Sequence, residues 1–70
     1  MNLIVNGRPL SLSTESSERT SLQDLIDHLG LTDKLVIAEV DKQIVDRGLY
    51  SQYILQEDMN IELVHFVGGG

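Results

Sequence analysis

The residues best placed to do chemistry stand at the end of the chain. Gly68, Gly69 and Gly70 follow an apolar strand pattern directly, with no polar spacer between. Glycine has no Cβ to block close backbone approach or to restrict φ, so three in succession make a slim end. Extended, they reach about 10 Å, far enough to carry a main-chain carboxylate into a partner's cleft. A glycine-rich end is also the composition of a frayed terminus. Elsewhere candidates are sparse. His28 and His65 have no second ligand at a metal-binding spacing, and no metal site is expected. His28, near a helix end, suits the helix dipole, while His65 reads as a buried or boundary residue of the last strand. Asp24 with Asp27, and Asp41 with Asp46, read as solvated acids, because paired carboxylates do acid–base work only where a pocket shifts their pKa. Cys is absent, which removes disulfides, zinc-thiolate sites and thiol nucleophiles.

Composition narrows the rest. Seventy residues with a single Pro make one domain, too small to enclose a large catalytic cavity, and each periodic apolar residue is needed for the core. The hydrophobic fraction of 41% argues against disorder. Eleven acids against five bases give a net charge of -6, so nucleic acid would be repelled. The bases Arg8, Arg19, Lys34, Lys42 and Arg47 are scattered and make no patch for anionic lipid. With neither a membrane-spanning run nor a signal-peptide pattern, a cytoplasmic protein is expected.

These residues must be positioned by a small set of elements. Met1 to Val5 alternates as a strand with Met1, Leu3 and Val5 on one face, and Asn6-Gly7 is a strong hairpin signal. Arg8 to Leu12 returns as a second strand, and Pro9 places it at an edge or at a position where the missing N–H is harmless. A polar loop runs from Ser11 to Arg19. Thr20 and Gln23 have the spacing of a capping box. Leu22, Leu25, Ile26 and Leu29 then form one helical stripe, and Gly30 is the stop. Leu35 to Val40 reads as a third strand, and the Asp41-Lys42 turn leads into a short segment at Ile44-Val45. Gly48 to Leu55 lacks a clean period and reads as a short helical turn or irregular crossing packed back on the sheet. After a turn at Glu57-Asp58, Met59 to Phe66 is the last strand. The stripe of the single helix must be buried against the sheet, and a hairpin followed by a helical crossover brings a later strand parallel to the first. On the last strand, Val64 and Phe66 lie opposite Ile61 and Leu63, on the face toward solvent, and Ile4 has the same outward parity. Together they predict a partner-docking patch, against the alternatives of isolated surface apolar residues or a face covered by the crossing.

The Asn6-Gly7 hairpin, the capped helix, the run Ile37-Ala38-Glu39-Val40-Asp41-Lys42-Gln43-Ile44-Val45-Asp46-Arg47 and the ending Val64-His65-Phe66-Val67-Gly68-Gly69-Gly70 together resemble the ThiS family, the sulfur carriers of thiamine thiazole synthesis. The resemblance spans essentially the whole chain. It implies an α+β fold of the ubiquitin-like β-grasp type: a mixed sheet of four to five strands with one main helix across one face. Residues 1–67 would form that domain and residues 68–70 a flexible tail. Asp46 stands where many relatives have Pro, and Glu57-Asp58 where they have a Gly-Asp turn, differences confined to loops.

The resemblance also implies a chemistry. A carboxylate resists nucleophiles, so an E1-like (ThiF-like) adenylyltransferase uses ATP and magnesium to activate it as an acyl-adenylate. Sulfur from a donor replaces the adenylate, and the thiocarboxylate passes sulfur to a ThiG-like thiazole synthase. Gly70 would carry the sulfur, with Gly69 and Gly68 entering the partner's pocket, and the chain would be a protein co-substrate with no bound cofactor. Two other functions fit the same elements: a carrier resembling the small subunit of molybdopterin synthase, and a ubiquitin-like interaction module that never uses its terminus.

Overall fold

A computed structural model of the chain describes residues 1–12 and 20–66. The polar loop read across Ser11 to Arg19 lies largely outside the described residues. So do Gly68, Gly69, Gly70 and the domain limit at residue 67.

Asn6 and Gly7 both take positive φ, 52° and 79°, the backbone that a two-residue type I′ hairpin requires. They join β1 (Asn2–Val5) to β2 (Arg8–Ser11) in antiparallel register, with Ile4 opposite Pro9. Met1 and Leu12, just beyond, exchange both backbone hydrogen bonds. Alternation of bonded and non-bonded pairs then puts Ile4 and Pro9 at a non-bonded position, where the missing Pro9 N–H leaves no gap. β2 is an edge strand, one of the placements Pro9 allows.

The helix α1 (Leu22–His28) begins one residue later than the spacing of Thr20 and Gln23 suggests. Ser21 is the N-cap. Its hydroxyl accepts from the Asp24 N–H at 3.0 Å, and the Asp24 carboxylate accepts from the Ser21 N–H at 2.9 Å. Two capping-box spacings overlap here, and tertiary structure selects between them. Thr20 is buried, and its carbonyl is committed to the Leu55 N–H at 2.8 Å. An acidic residue at the third position also complements the helix dipole, which Gln23 does not. The helix stops at Gly30, φ 75°. Gly30 donates to Asp27 and Leu31 to Ile26, the two bonds of a Schellman motif. Because Leu29 is already the C-cap, it leaves the predicted stripe and is exposed, while Leu31 packs against the core.

β3 (Val36–Val40), β4 (Gln43–Val45) and β5 (Asn60–His65) complete a five-stranded sheet in the order β2-β1-β5-β3-β4. β5 runs parallel to β1 and antiparallel to β3. Leu3, Val36, Ala38, Val40, Ile61 and Leu63 point inward and close on Leu22, Leu25 and Ile26 of the helix. One helix over one face of this mixed sheet is the β-grasp arrangement.

The ambiguous segment after β4 opens with a 3₁₀ turn at Arg47–Leu49. It packs against both the start of the helix and β3 of the sheet. Tyr50 and Tyr53 carbonyls accept from the Gln23 and Leu22 N–H groups, and Ile54 forms an isolated antiparallel bridge with Ser21. These bonds satisfy first-turn donors that no intrahelical carbonyl can reach. The buried Tyr50 hydroxyl accepts from Ala38 N–H at 3.0 Å and donates to the Val36 carbonyl at 2.9 Å. Among the described residues no helix is long and apolar enough to cross a membrane.

Candidate functional site

The strand that leads to the glycines also builds an apolar surface. β5 alternates, so Ile61 and Leu63 enter the core while Glu62 and Val64 face outward. Phe66 continues that parity. Antiparallel register with β3 sets Val64 beside Ile37, and the Phe66 N–H donates to the Leu35 carbonyl at 3.3 Å, which carries the pairing one step further. Ile44, opposite Glu39 on β4, is a diagonal neighbour of Ile37. Leu35, Ile37, Ile44, Val64 and Phe66 are therefore gathered at one end of the outer face, each between 40 and 72% exposed. The crossing after β4 does not cover them, because Tyr50 and Leu55 are in the core on the helix side.

Ile4 is exposed with the same parity, but the register sets it elsewhere. It pairs with Asn60, four residues before Val64, or about 13 Å along the strand. Glu62 lies between, directly opposite Glu39. The grouping of Ile4 with Val64 and Phe66 thus separates into a five-residue cluster and an outlier. Leu35, Ile37 and Ile44 were not singled out from the sequence. Their signal was present in the odd-numbered parity of Leu35, Ile37 and Glu39, but it acquires meaning only once β3 is known to lie beside β5.

His28 is exposed in the last turn of the helix. His65 is exposed as well, contrary to its inward parity, because β1 pairs with β5 only as far as Ile61 and leaves the end of β5 without a strand neighbour on that side. Gly68, Gly69 and Gly70 continue from Phe66, beyond the described residues.

The sequence profile of the ThiS family matches residues 3–70. The chain belongs to the ThiS family. It is 35% identical to the sulfur carrier protein ThiS of Bacillus subtilis, over 97% of this chain and 98% of that protein. The crystal structure of the thiamine biosynthesis protein ThiS from Geobacter metallireducens superposes with a TM-score of 0.78 at 25% identity, each chain covered in full. A further relative has a different format. The thiazole synthase of Magnetococcus marinus is 40% identical over the whole of this chain, which spans only 20% of that protein's length. The thiazole synthase of Paramagnetospirillum magneticum shows the same relation at 29% identity. In both, a ThiS-like stretch lies within a longer synthase polypeptide.

Proposed function

We propose that this ThiS-family chain is a sulfur carrier for thiamine thiazole formation and that its reacting group is the Gly70 carboxylate. A carboxylate oxygen attacks the α-phosphorus of ATP and expels pyrophosphate, giving the acyl-adenylate. Hydrosulfide released by the donor then attacks the acyl carbon, AMP departs, and loss of the S–H proton leaves the thiocarboxylate; a persulfide donor would instead give an acyl disulfide, which a thiol must cleave reductively to free the thiocarboxylate. An E1-like adenylyltransferase supplies ATP, magnesium and the catalytic groups, and the carrier supplies a backbone end without side chains. Its folded body holds the partner, so that binding energy gathered away from the reacting atoms orients the end.

The cluster of Leu35, Ile37, Ile44, Val64 and Phe66 is the docking face in this reading. It adjoins the exit of the tail, and an exposed apolar group of this kind fits the centre of a protein interface. The carboxylates of Glu39 and Glu62 flank it and suit a basic group on the partner.

The observation that carries the choice of pathway is the pair of thiazole synthases that contain a ThiS-like stretch, since a carrier and its acceptor joined in one chain act at each other's effective concentration. Thiolated carrier should be offered separately to thiazole synthase and to the large subunit of molybdopterin synthase. Sulfur transfer to the first supports the assignment; transfer to the second alone refutes it.

A further inference from the structure

The hairpin that opens the sheet carries a chemistry of its own. In Asn6-Gly7 the residue after the asparagine has no Cβ to crowd its backbone nitrogen, so that nitrogen can attack the side-chain amide carbon. Base removes the Gly7 amide proton, a bond forms from the Gly7 nitrogen to Asn6 Cγ, the Cγ–Nδ2 bond breaks, and Nδ2 takes up a proton and leaves as ammonia. The product is a cyclic succinimide. Water then adds across one of its carbonyl C–N bonds. Opening at Cγ gives Asp, and opening at the main-chain carbonyl carbon gives isoaspartate, in which the backbone runs through Cβ. The step consumes only water and needs no oxidant or metal. The other two asparagines, Asn2 and Asn60, precede Leu3 and Ile61, whose side chains crowd the attacking nitrogen.

Asn6 and Gly7 are both exposed, so water and base reach them in the folded chain and only geometry can withhold the reaction. Two features withhold it. The φ values of 52° and 79° are those of a type I′ turn, whose first central residue has ψ of about 30°. At that angle the Gly7 nitrogen lies nearly trans to Asn6 Cβ, out of reach of Cγ. Ring closure requires a large rotation of ψ, which undoes the Val5–Arg8 pair that the turn closes. The side chain is also held at both ends by β5: Oδ1 accepts from the Leu63 N–H at 2.7 Å and Nδ2 donates to the Leu63 carbonyl at 3.2 Å. Both bonds must break before Cγ can turn toward Gly7.

The products do not restore this joint. Asp keeps an acceptor for the Leu63 N–H but sets a carboxylate oxygen against the Leu63 carbonyl, where Asn6 presents a donor. Isoaspartate adds a backbone atom to a turn whose length fixes the hairpin register.

We propose that Asn6 is a deamidation site gated by the fold: the closed hairpin protects it, and each opening of β1 and β2 from β5 exposes it to a one-way change that weakens the β1–β5 joint. The proposal is independent of the carrier assignment.

The full chain should be incubated folded in mildly alkaline buffer, beside a synthetic peptide of residues 3–10 that sets the unrestrained rate. Peptide-level mass measurement follows the amide-to-acid mass gain, and an isoaspartate assay identifies the second product. The folded chain should react at least about tenfold more slowly than the peptide. Urea below the unfolding transition should speed the reaction in parallel with hydrogen exchange at the Leu63 amide, which reports opening of the same joint. The variant N6D, which reproduces one product, should unfold at lower urea than the parent. A folded chain that reacts as fast as the peptide, or a rate that stays constant while Leu63 exchange rises, would overturn the gating. Conversion at Asn2 or Asn60 ahead of Asn6 would overturn the site, and an N6D variant as stable as the parent would overturn the weakening of the joint.

Discussion

The Asn6 side chain extends the parallel ladder between β1 and β5 past the point where the β1 backbone turns away: its Oδ1 accepts from the Leu63 N–H at 2.7 Å and its Nδ2 donates to the Leu63 carbonyl at 3.2 Å. Asn6 therefore serves twice, as the first positive-φ residue of the hairpin and as a substitute strand residue beside Leu63. Replacing it by Ala leaves two backbone groups of β5 without these partners and places a Cβ residue without Asn's local hydrogen bonding at φ 52°. Asn6→Ala should lower stability by about 2–3 kcal/mol. Asn6→Asp keeps the acceptor and should lose less. Urea unfolding of both variants checks the order, and equal stability of Asn6→Ala and the parent would refute the bridging role.

The second hairpin has the opposite character. Asp41 and Lys42 both adopt positive φ, 48° and 73°, in a turn that favours glycine at its second position. The Asp41 carboxylate earns its place by accepting from the Asn60 N–H at 3.1 Å, whereas Lys42 has only conformational cost there. Lys42→Gly should raise stability by about 1 kcal/mol, the αL cost of a side chain offset in part by glycine's entropy in the unfolded chain. A fall in thermal midpoint would contradict this.

The proposed docking face can be separated from folding because its residues are exposed. Val64→Ser and Ile37→Ser should change stability by about 0.5 kcal/mol or less. The same changes should weaken binding to the activating enzyme or the sulfur acceptor about tenfold or more if these side chains sit at the interface centre. Ile4→Ser, on the far side of Glu62, should have a smaller effect. Calorimetric titration of each variant against the partner measures this, and full affinity in the Val64 and Ile37 variants would remove the cluster from the interface.

Charge beside the cluster acts differently. Glu39 and Glu62 face one another on adjacent strands, an unfavourable like-charge pair for the isolated domain. Glu62→Gln should leave stability unchanged or raise it slightly, while slowing association with a basic partner and flattening its salt dependence. An association rate equal to the parent's at low salt would show that the pair has no part in docking.

Local signals made much of this fold legible. Asn6-Gly7 and Gly30 are positions where backbone φ is dictated by residue type, and the alternation of Met59 to Phe66 fixes which side chains enter the core. Signals that overlap or depend on distant partners were harder to read. Thr20 and Ser21 both offer a cap, and the Leu55 bond to the Thr20 carbonyl together with Asp24 three residues after Ser21 favours the second. Leu29 has the right spacing for the stripe, but the helix ends before it. The outer cluster depends on the register of β3 against β5, which sets Ile37 beside Val64, twenty-seven positions away.

In the proposed mechanism a main-chain carboxylate, not a side chain, carries sulfur. The most direct test is intact-mass and peptide-level mass measurement of the chain after incubation with an E1-like adenylyltransferase, ATP, magnesium and a sulfur source. One oxygen-to-sulfur exchange is expected, confined to the peptide ending in Gly70 and dependent on ATP. An unmodified terminal peptide, or sulfur found on any other part of the chain, would contradict it.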